Sequence, residues 1–405
     1  MTRRVVVTGL GVVTSVGKQL EEFWSNLTAG KSGIKEIKSF STESLDRHFG
    51  GEVSVADEVS LLSESESKIY GRATRFGIEA THNAVEDAGL NVHADEFRKK
   101  IGVVIGTTFG EAQIIEKITS IYCAQGISRV NSSAHLKQYN PNAISVNIGK
   151  KFKFSGPNMV IPTACAAGNY AIAYASMLIK SGAAPIMIAG GADPFSHVSF
   201  SGFRRLGVMA NSMCQPFDKD REGMLVGEGA ASLVLEDYEV ARDRGAKMYA
   251  EIAGFGFSCD ANHMTIPEVG GIMSVMKNAL ANAGLGIKDV DYICAHGTGT
   301  RINDKLESEA IRRIFYDSGN TVPVSSIKSM LGHTMGAASA IEAVASVMSI
   351  KTGLIPPTIN FRTPDPECDI DCVPNTARKS NPRVVLNNSF AFGGNNCSVL
   401  FANVN

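Results

Sequence analysis

Residues 158–179 read NMVIPTACAAGNYAIAYASMLI, and residues 322–350 read VPVSSIKSMLGHTMGAASAIEAVASVMSI. Each stretch is a short apolar run, then a hydroxyl-rich turn, then an Ala-rich segment with helical spacing of its apolar residues. One strand–turn–helix element therefore occurs twice. A second echo supports the duplication: EGAASLVLED (228–237) and NNCSVLFANV (395–404) are both polar turns feeding an apolar strand. The halves run from 1 to 250 and from 251 to 405, with no Pro/Ser-rich linker between them, so two similar units packed as one body are expected.

Between these landmarks, β-branched runs at Val5–Val7, Val103–Ile105, Pro185–Ala189 and Ala231–Glu236 predict strands. Helices are predicted at Thr74–Ala88, Gly168–Lys180, Met273–Ala283, Asp304–Phe315 and Ala337–Lys351, several closing on glycine. The class is layered α/β. With 405 residues and 44% hydrophobic content the chain can bury a large core. Lys and Arg total 39 against 40 Asp and Glu, a net charge of −1 that gives no bulk attraction to nucleic acid or an anionic membrane. The N-terminal apolar run is short and broken by Gly and Thr, unlike a secretory signal, and no 18-residue apolar stretch follows, so no membrane insertion and a cytoplasmic location are expected.

Eight cysteines are scattered without disulfide-framework or paired CxxC spacing. Cys368 and Cys372 form a lone CxxxC pair, read as bland thiols, and no metal is assigned. Two phosphate motifs fail on spacing. Gly9 and Gly11 lack a glycine at position 14, where Thr14 stands, and Gly11 to Gly17–Lys18 is one residue too long for a P-loop.

Four segments carry candidate chemistry. In PTACAAG (162–168), Cys165 stands at the start of a small-residue helix, whose N-terminal partial charge favours thiolate and whose backbone N–H can face a developing oxyanion. On spacing alone a buried structural cysteine fits better. AHGTGT (295–300) and SIKSMLGHTMGAAS (326–339) each place a histidine, His296 and His333, just beyond a predicted strand, where ligands gather in open α/β folds. Either histidine alone also reads as a satisfied structural residue. In NNSFAFGGNN (387–396), Gly393 and Gly394 form either a plain turn or a loop that turns a backbone N–H toward a thioester.

Taken in order, VVVTGLGVVTSVG (5–17), TACAAG, PFDKDREGMLVGEGA (216–230), GFGFSCDANHMTIP (254–267), AHGTGT, KSMLGH and SFAFGG resemble the β-ketoacyl-acyl-carrier-protein synthases of the thiolase superfamily, especially the elongating type, over the whole chain. The resemblance implies the duplicated five-layer α-β-α-β-α thiolase fold and a dimer. It implies Cys165 as the nucleophile that takes an acyl chain from the phosphopantetheine of an acyl carrier protein, with the Cys165 and Phe392 amides as its oxyanion hole. His296 and His333 match the pair that assists malonyl decarboxylation and stabilises the enolate through Nε2. Lys328 matches the motif lysine and is expected to pair with Glu342, while Thr298 and Thr300 are candidates to hold the pantetheine arm. Asp304 and Glu307 match acidic positions after the first histidine, or else form a solvated helix start. Phe109 in GTTFGE stands at the acyl-pocket gate, and Arg204 and Arg205 are candidates for carrier docking or an ordinary solvated basic pair. No permanently bound cofactor is implied.

Departures from the elongating pattern include Pro162, Ala391, Asn395 and Cys397. With AHGTGT and AFGGNN they resemble ketosynthases of type II polyketide or aryl-polyene systems. The preferred expectation is therefore an active ketosynthase of a dedicated type II pathway, as homodimer or as heterodimer with a chain-length-factor paralogue. Housekeeping fatty-acid elongation is the runner-up. A non-catalytic partner subunit is disfavoured because Cys165, His296 and His333 are all retained, and a thiolase because Cys397 is read as a core thiol.

Overall fold

The computed structural model describes residues 3–54, 61–90, 98–131 and 134–404. Its main sheet contains β1 (Val5–Thr14), β2 (Ile101–Gly106), β3 (Asn158–Ile161), β4 (Ile186–Asp193) and β5 (Gly229–Asp237) from the first half of the chain. The second half supplies β6 (Ala250–Cys259), β7 (Tyr292–Cys294), β8 (Val324–Ser325), β9 (Val384–Phe390) and β10 (Asn395–Ala402). Their order across the sheet is β3-β2-β4-β5-β1-β6-β10-β9-β7-β8. Read outward from the centre, each half follows the same sequence of strands. The pairing senses match too: three parallel strands at each outer edge, then two antiparallel junctions toward the centre. The halves join through β1 and β6 at two residue pairs, Val6 with Glu251 and Val7 with Ala250.

Six helices position the layers and the residues between them: α1 (Arg72–Asp87), α2 (Ala167–Lys180), α3 (His197–Arg205), α4 (Val269–Ala283), α5 (Arg301–Ile314) and α6 (Ala338–Thr352). α2 and α6 pack on each other and on strands of both halves, forming the middle layer, while α1 covers β1 and β5 from one outer side and α4 covers β6 and β10 from the other. This is the layered thiolase arrangement. Residues 338–349 of α6 are all buried, so it has no solvated face, which its Ala- and Ser-rich sequence allows. Two of its serines bond back to the helix carbonyls, Ser346 Oγ to Glu342 O at 2.8 Å and Ser349 Oγ to Ala345 O at 3.0 Å, and so bury no free hydroxyl hydrogen.

The glycines that fail as a dinucleotide motif have a packing reason. A Cβ at Gly9 would lie 2.2 Å from Ala84 O and one at Gly11 1.9 Å from Ala80 O, both in α1. The second half repeats the device: a Cβ at Gly254 would lie 2.7 Å from Ala279 O and one at Gly256 2.2 Å from Val275 O, in α4. Each Gly-x-Gly lets a helix lie directly on the central strand of its half. Helices α4 and α5 begin earlier than expected, at Val269 and Arg301. Gly270 and Gly271 mask the start of α4, glycine being a poor helix former, yet Gly271 leaves room for Asp260 Oδ1.

All eight cysteines are unpaired, and Cys368, Cys372 and Cys397 are buried among apolar side chains. Among the described residues no helix is long and apolar enough to cross a membrane.

Candidate active site

β3 leaves the sheet through Pro162 and Thr163, makes one tight turn over Ala164–Ala166, and enters α2. Ala164 takes a left-handed conformation, φ +48°, which costs a residue with a Cβ about 1–3 kcal/mol and puts Cys165 at the tip of the turn. The second copy has the same irregularity: Met335, φ +55°, opens the turn Met335–Ala337 ahead of α6. In this alignment Gly336 answers to Cys165, and His333 to Pro162.

Cys165 is 7% exposed and lies at the buried end of a cavity of about 570 Å³. His296, His333 and Phe390 share that end, Thr298, Thr300, Phe203 and Phe392 line the walls, and Leu206, Ile266 and Ile302 form an exposed apolar mouth. The Cys165 sulfur and a ring nitrogen of each histidine all lie within 4.8 Å of one another. The imidazoles meet edge to face, centroids 5.5 Å apart. The backbone amides of Cys165 and Phe392 both lie close enough to the sulfur to favour its charged form.

Burial pushes the thiol up to about 11, against the opposing pull of the Lys328 charge and the two amides. The expected thiolate at a helix N-terminus is therefore corrected, because desolvation outweighs the local positive field.

Burial, reinforced by the nearby Lys328 charge, holds both histidines well below their ordinary range, so both are neutral at pH 7. Met335 N–H donates to His333 Nδ1 at 3.1 Å, which assigns the ring proton to Nε2 and makes that nitrogen a donor. With its proton on Nε2, His333 offers that nitrogen as a donor and not as a lone pair.

Lys328 donates to the His296 carbonyl at 2.7 Å, lies 3.5 Å from His296 Nδ1, and forms a buried ion pair with Glu342, as expected. Burial pushes the Glu342 carboxyl up to about 7 while Lys328 pulls it down. Glu307 accepts the His296 and Gly297 N–H groups, each at 2.8 Å, and Asp304 accepts those of Gly299 at 3.1 Å and Phe217 at 2.8 Å. Both carboxyls are 0% exposed, which corrects the solvated-helix-start alternative: they fold the 296–299 loop from within. Thr298 and Thr300 hydroxyls lie 2.9 Å apart beside the cavity.

The other expected residues lie around this space. Phe109 sits one ring behind the cavity: it packs edge-on against Phe203 at 6.1 Å, and Phe203 packs against Phe392 at 6.3 Å. Of the two rings, Phe203 is thus the one that faces the space. Gly393 and Gly394, φ +85° and +78°, spend their N–H groups on Met264 O at 2.7 Å and Ala391 O at 3.0 Å. They shape the turn that aims the Phe392 amide. Arg204 and Arg205 end α3 beside Leu206 at the mouth, with Arg204 ion-paired to Asp46 at 2.9 Å.

Asp193 was not singled out by the sequence. Fully buried at the end of β4, it accepts Thr107 Oγ1 at 2.8 Å and the N–H groups of Thr108, Phe109 and Gly336 at 2.7, 2.8 and 2.7 Å. Its signal was an acid closing the apolar run IMIAGGAD (186–193).

Comparison with known proteins agrees with this geometry. Residues 2–241 match the model for the beta-ketoacyl synthase N-terminal domain and residues 249–362 that for the C-terminal domain. The 3-oxoacyl-[acyl-carrier-protein] synthase 2 of Synechocystis sp. is 40% identical, over 98% of both chains. Among solved structures, the ishigamide ketosynthase/chain length factor is 39% identical with a TM-score of 0.94, covering 100% of both chains. A type II PKS ketosynthase, bound to its hexaketide and in complex with an acyl-carrier protein, is 33% identical with a TM-score of 0.91 over 100% of both chains. The duplicated fold, the site and these relatives together show that the chain belongs to the beta-ketoacyl synthase family, acyltransferases of the thiolase fold.

Proposed function

We propose that the protein catalyses decarboxylative Claisen condensation between an acyl chain held on Cys165 and a malonyl unit on an acyl carrier protein, in a type II polyketide or polyene pathway. The observation that carries this reading is the convergence of one thiol, a ring nitrogen of each of two histidines and the backbone amides of Cys165 and Phe392 at the buried end of one cavity.

In the first step Cys165 attacks the carrier thioester, a new S–C bond forms, and the carrier's phosphopantetheine leaves as a thiol with the proton that Cys165 gives up. The Cys165 and Phe392 amides hold the oxyanion. The malonyl thioester then loses carbon dioxide. Its electron pair becomes an enolate, whose oxygen accepts hydrogen bonds from His296 and His333 Nε2. The enolate carbon attacks the Cys165 thioester, a carbon–carbon bond forms, the C–S bond breaks with Cys165 leaving as a thiolate that takes up one proton from water, and a 3-oxoacyl chain remains on the carrier. Atoms balance without a redox partner, so no permanently bound cofactor is called for.

Lys328, Glu342, Asp304 and Glu307 order the histidine loops in this reading. Thr298 and Thr300 hold the pantetheine arm, and Arg204 and Arg205 meet an acidic carrier. The working unit is a homodimer, or a heterodimer with a chain-length-factor paralogue. Edge strand β3 supports dimerisation, because among the described residues no strand pairs with its outer side and Met159 on it is 41% exposed. We take 1–250 and 251–405 as the repeated units, on the mirrored strand order, and the cytoplasm as the location, which eight unpaired thiols suit.

Fatty-acid elongation is the second reading, favoured by the 40% identity to a 3-oxoacyl-carrier synthase. Mass spectrometry separates the two: the acyl group found on Cys165 after co-purification with the genomic neighbours is an unsaturated or polyketide chain in the first case and a saturated fatty acyl chain in the second. Acylation of a Cys165→Ala protein would overturn both.

A further inference from the structure

Two serines from the second half of the chain touch the peptide of Cys165. Ser389 in β9 donates to the Cys165 carbonyl oxygen at 2.9 Å, and Ser339 in the first turn of α6 donates to the same oxygen at 3.2 Å. Ser339 Oγ in turn accepts the N–H of Asn169, four residues beyond the cysteine, at 3.0 Å. Asn169 is fixed from behind: Asn387 Nδ2 donates to its Oδ1 at 2.9 Å, and its own Nδ2 donates to Asn387 O at 3.1 Å. All four side chains are 0% exposed.

A carbonyl oxygen held by two donors has a fixed direction, and that direction sets ψ of Cys165. The left-handed Ala164 fixes the chain on the other side. With both ends clamped, the Cα–Cβ bond of Cys165 points one way, and only χ1 is left to place the sulfur. A second effect is electrostatic. The negative end of the Cys165 carbonyl belongs to the same residue as the sulfur, so donors that draw charge from it reduce the repulsion felt when negative charge develops nearby.

We propose that Ser339 and Ser389 are positioning residues for acyl transfer, locking the Cys165 peptide so that the sulfur faces the two oxyanion amides and the histidines. The proposal rests on the reading of Cys165 as the nucleophile. It makes one half of the duplicated chain responsible for aiming the nucleophile of the other.

The test compares Ser339→Ala, Ser389→Ala and the double variant with the full-length parent, using hexanoyl-pantetheine as acyl donor and iodoacetamide as a thiol probe. Each single variant is expected to lower kcat for Cys165 acylation about tenfold, the scale of one buried hydrogen bond, with KM within twofold. Alkylation is expected to shift to higher pH. Ser389→Thr, which keeps the hydroxyl, should recover most of the rate. A double variant that melts like the parent, with kcat and alkylation profile within twofold of it, overturns the proposal, as does a loss confined to KM. Should the alanine variants melt below assay temperature, Ser389→Thr is compared with Ser389→Cys, a weak donor; the rate must follow the hydroxyl, and equal rates overturn the proposal. Acylation persisting in Cys165→Ala would instead overturn the role of the cysteine itself.

Discussion

The turn before α2 and the turn before α6 share a backbone and divide the chemistry. Both open on a left-handed residue, Ala164 in one and Met335 in the other, and both pass through a single tight turn into a buried helix. At the tip, the first carries Cys165 facing the cavity. The second carries Gly336, whose N–H goes to Asp193 and whose Cβ, if present, would lie 2.6 Å from backbone atoms of Thr107 and Thr108. The second turn contributes its polar group three residues earlier, as His333. In the proposed reaction a duplicated element thus supplies an acyl holder from one copy and a charge stabiliser from the other, and the two are brought together by packing α2 on α6.

The largest expected effect tests whether the copies are interchangeable. Cys165→Ala should abolish acyl loading, and adding Gly336→Cys should restore none of it, because the new side chain has no space and does not face the cavity. Intact-mass measurement of the acylated protein reads this directly; any rescue would show that the tip position alone confers the role. Next, His333→Ala should lower the condensation rate ~10²–10³-fold, the scale of a lost oxyanion donor, with a smaller effect on loading. Stopped single-turnover assays of the two half-reactions separate these, and equal losses in both would remove the division of labour.

A third expected effect lies in stability. Lys328→Ala leaves Glu342 buried without its partner and should cost about 3–5 kcal/mol in denaturant melts at neutral pH. The folded-state carboxyl is already pushed up to about 7, so folding favours its protonated form. Without Lys328 to pull it down the carboxyl is pushed up further, so the deficit should grow as pH rises above about 7 and shrink as pH falls back toward it, and a deficit independent of pH above 7 would contradict the buried-charge account. The smallest expected effects compare the central strands: Gly11→Ala and Gly256→Ala should each destabilise by about 1–3 kcal/mol through overpacking. The larger value should fall at Gly11, whose Cβ would approach to 1.9 Å rather than 2.2 Å.

Much of this was legible in the sequence because it is local. The strand–turn–helix signature at 158–179 and 322–350 gave the duplication, and the glycine and hydroxyl turns after strands gave Cys165, His296 and His333 as neighbours. What depended on three-dimensional order was not. Nothing in GTTFGE shows that Phe203, ninety-odd residues on, stands in front of Phe109. An acid near the start of a helix looks solvated until the fold buries Asp304 and Glu307 against the loop they hold. The thiol's ionisation depended on depth of burial, which spacing does not encode, and Ser339 and Ser389 looked like ordinary residues of a helix and a strand.

The clamp on the Cys165 carbonyl also says something about how the protein comes into being. Ser339 and Ser389 follow the cysteine by 174 and 224 positions. At about 5–20 residues per second, the ribosome delivers Ser389 roughly 10–45 s after Cys165. Until then the first half can form its strands, but its cysteine has no partner half to aim it. The growing chain thus carries a dormant thiol, and competence to accept cargo arrives only as the last strands dock.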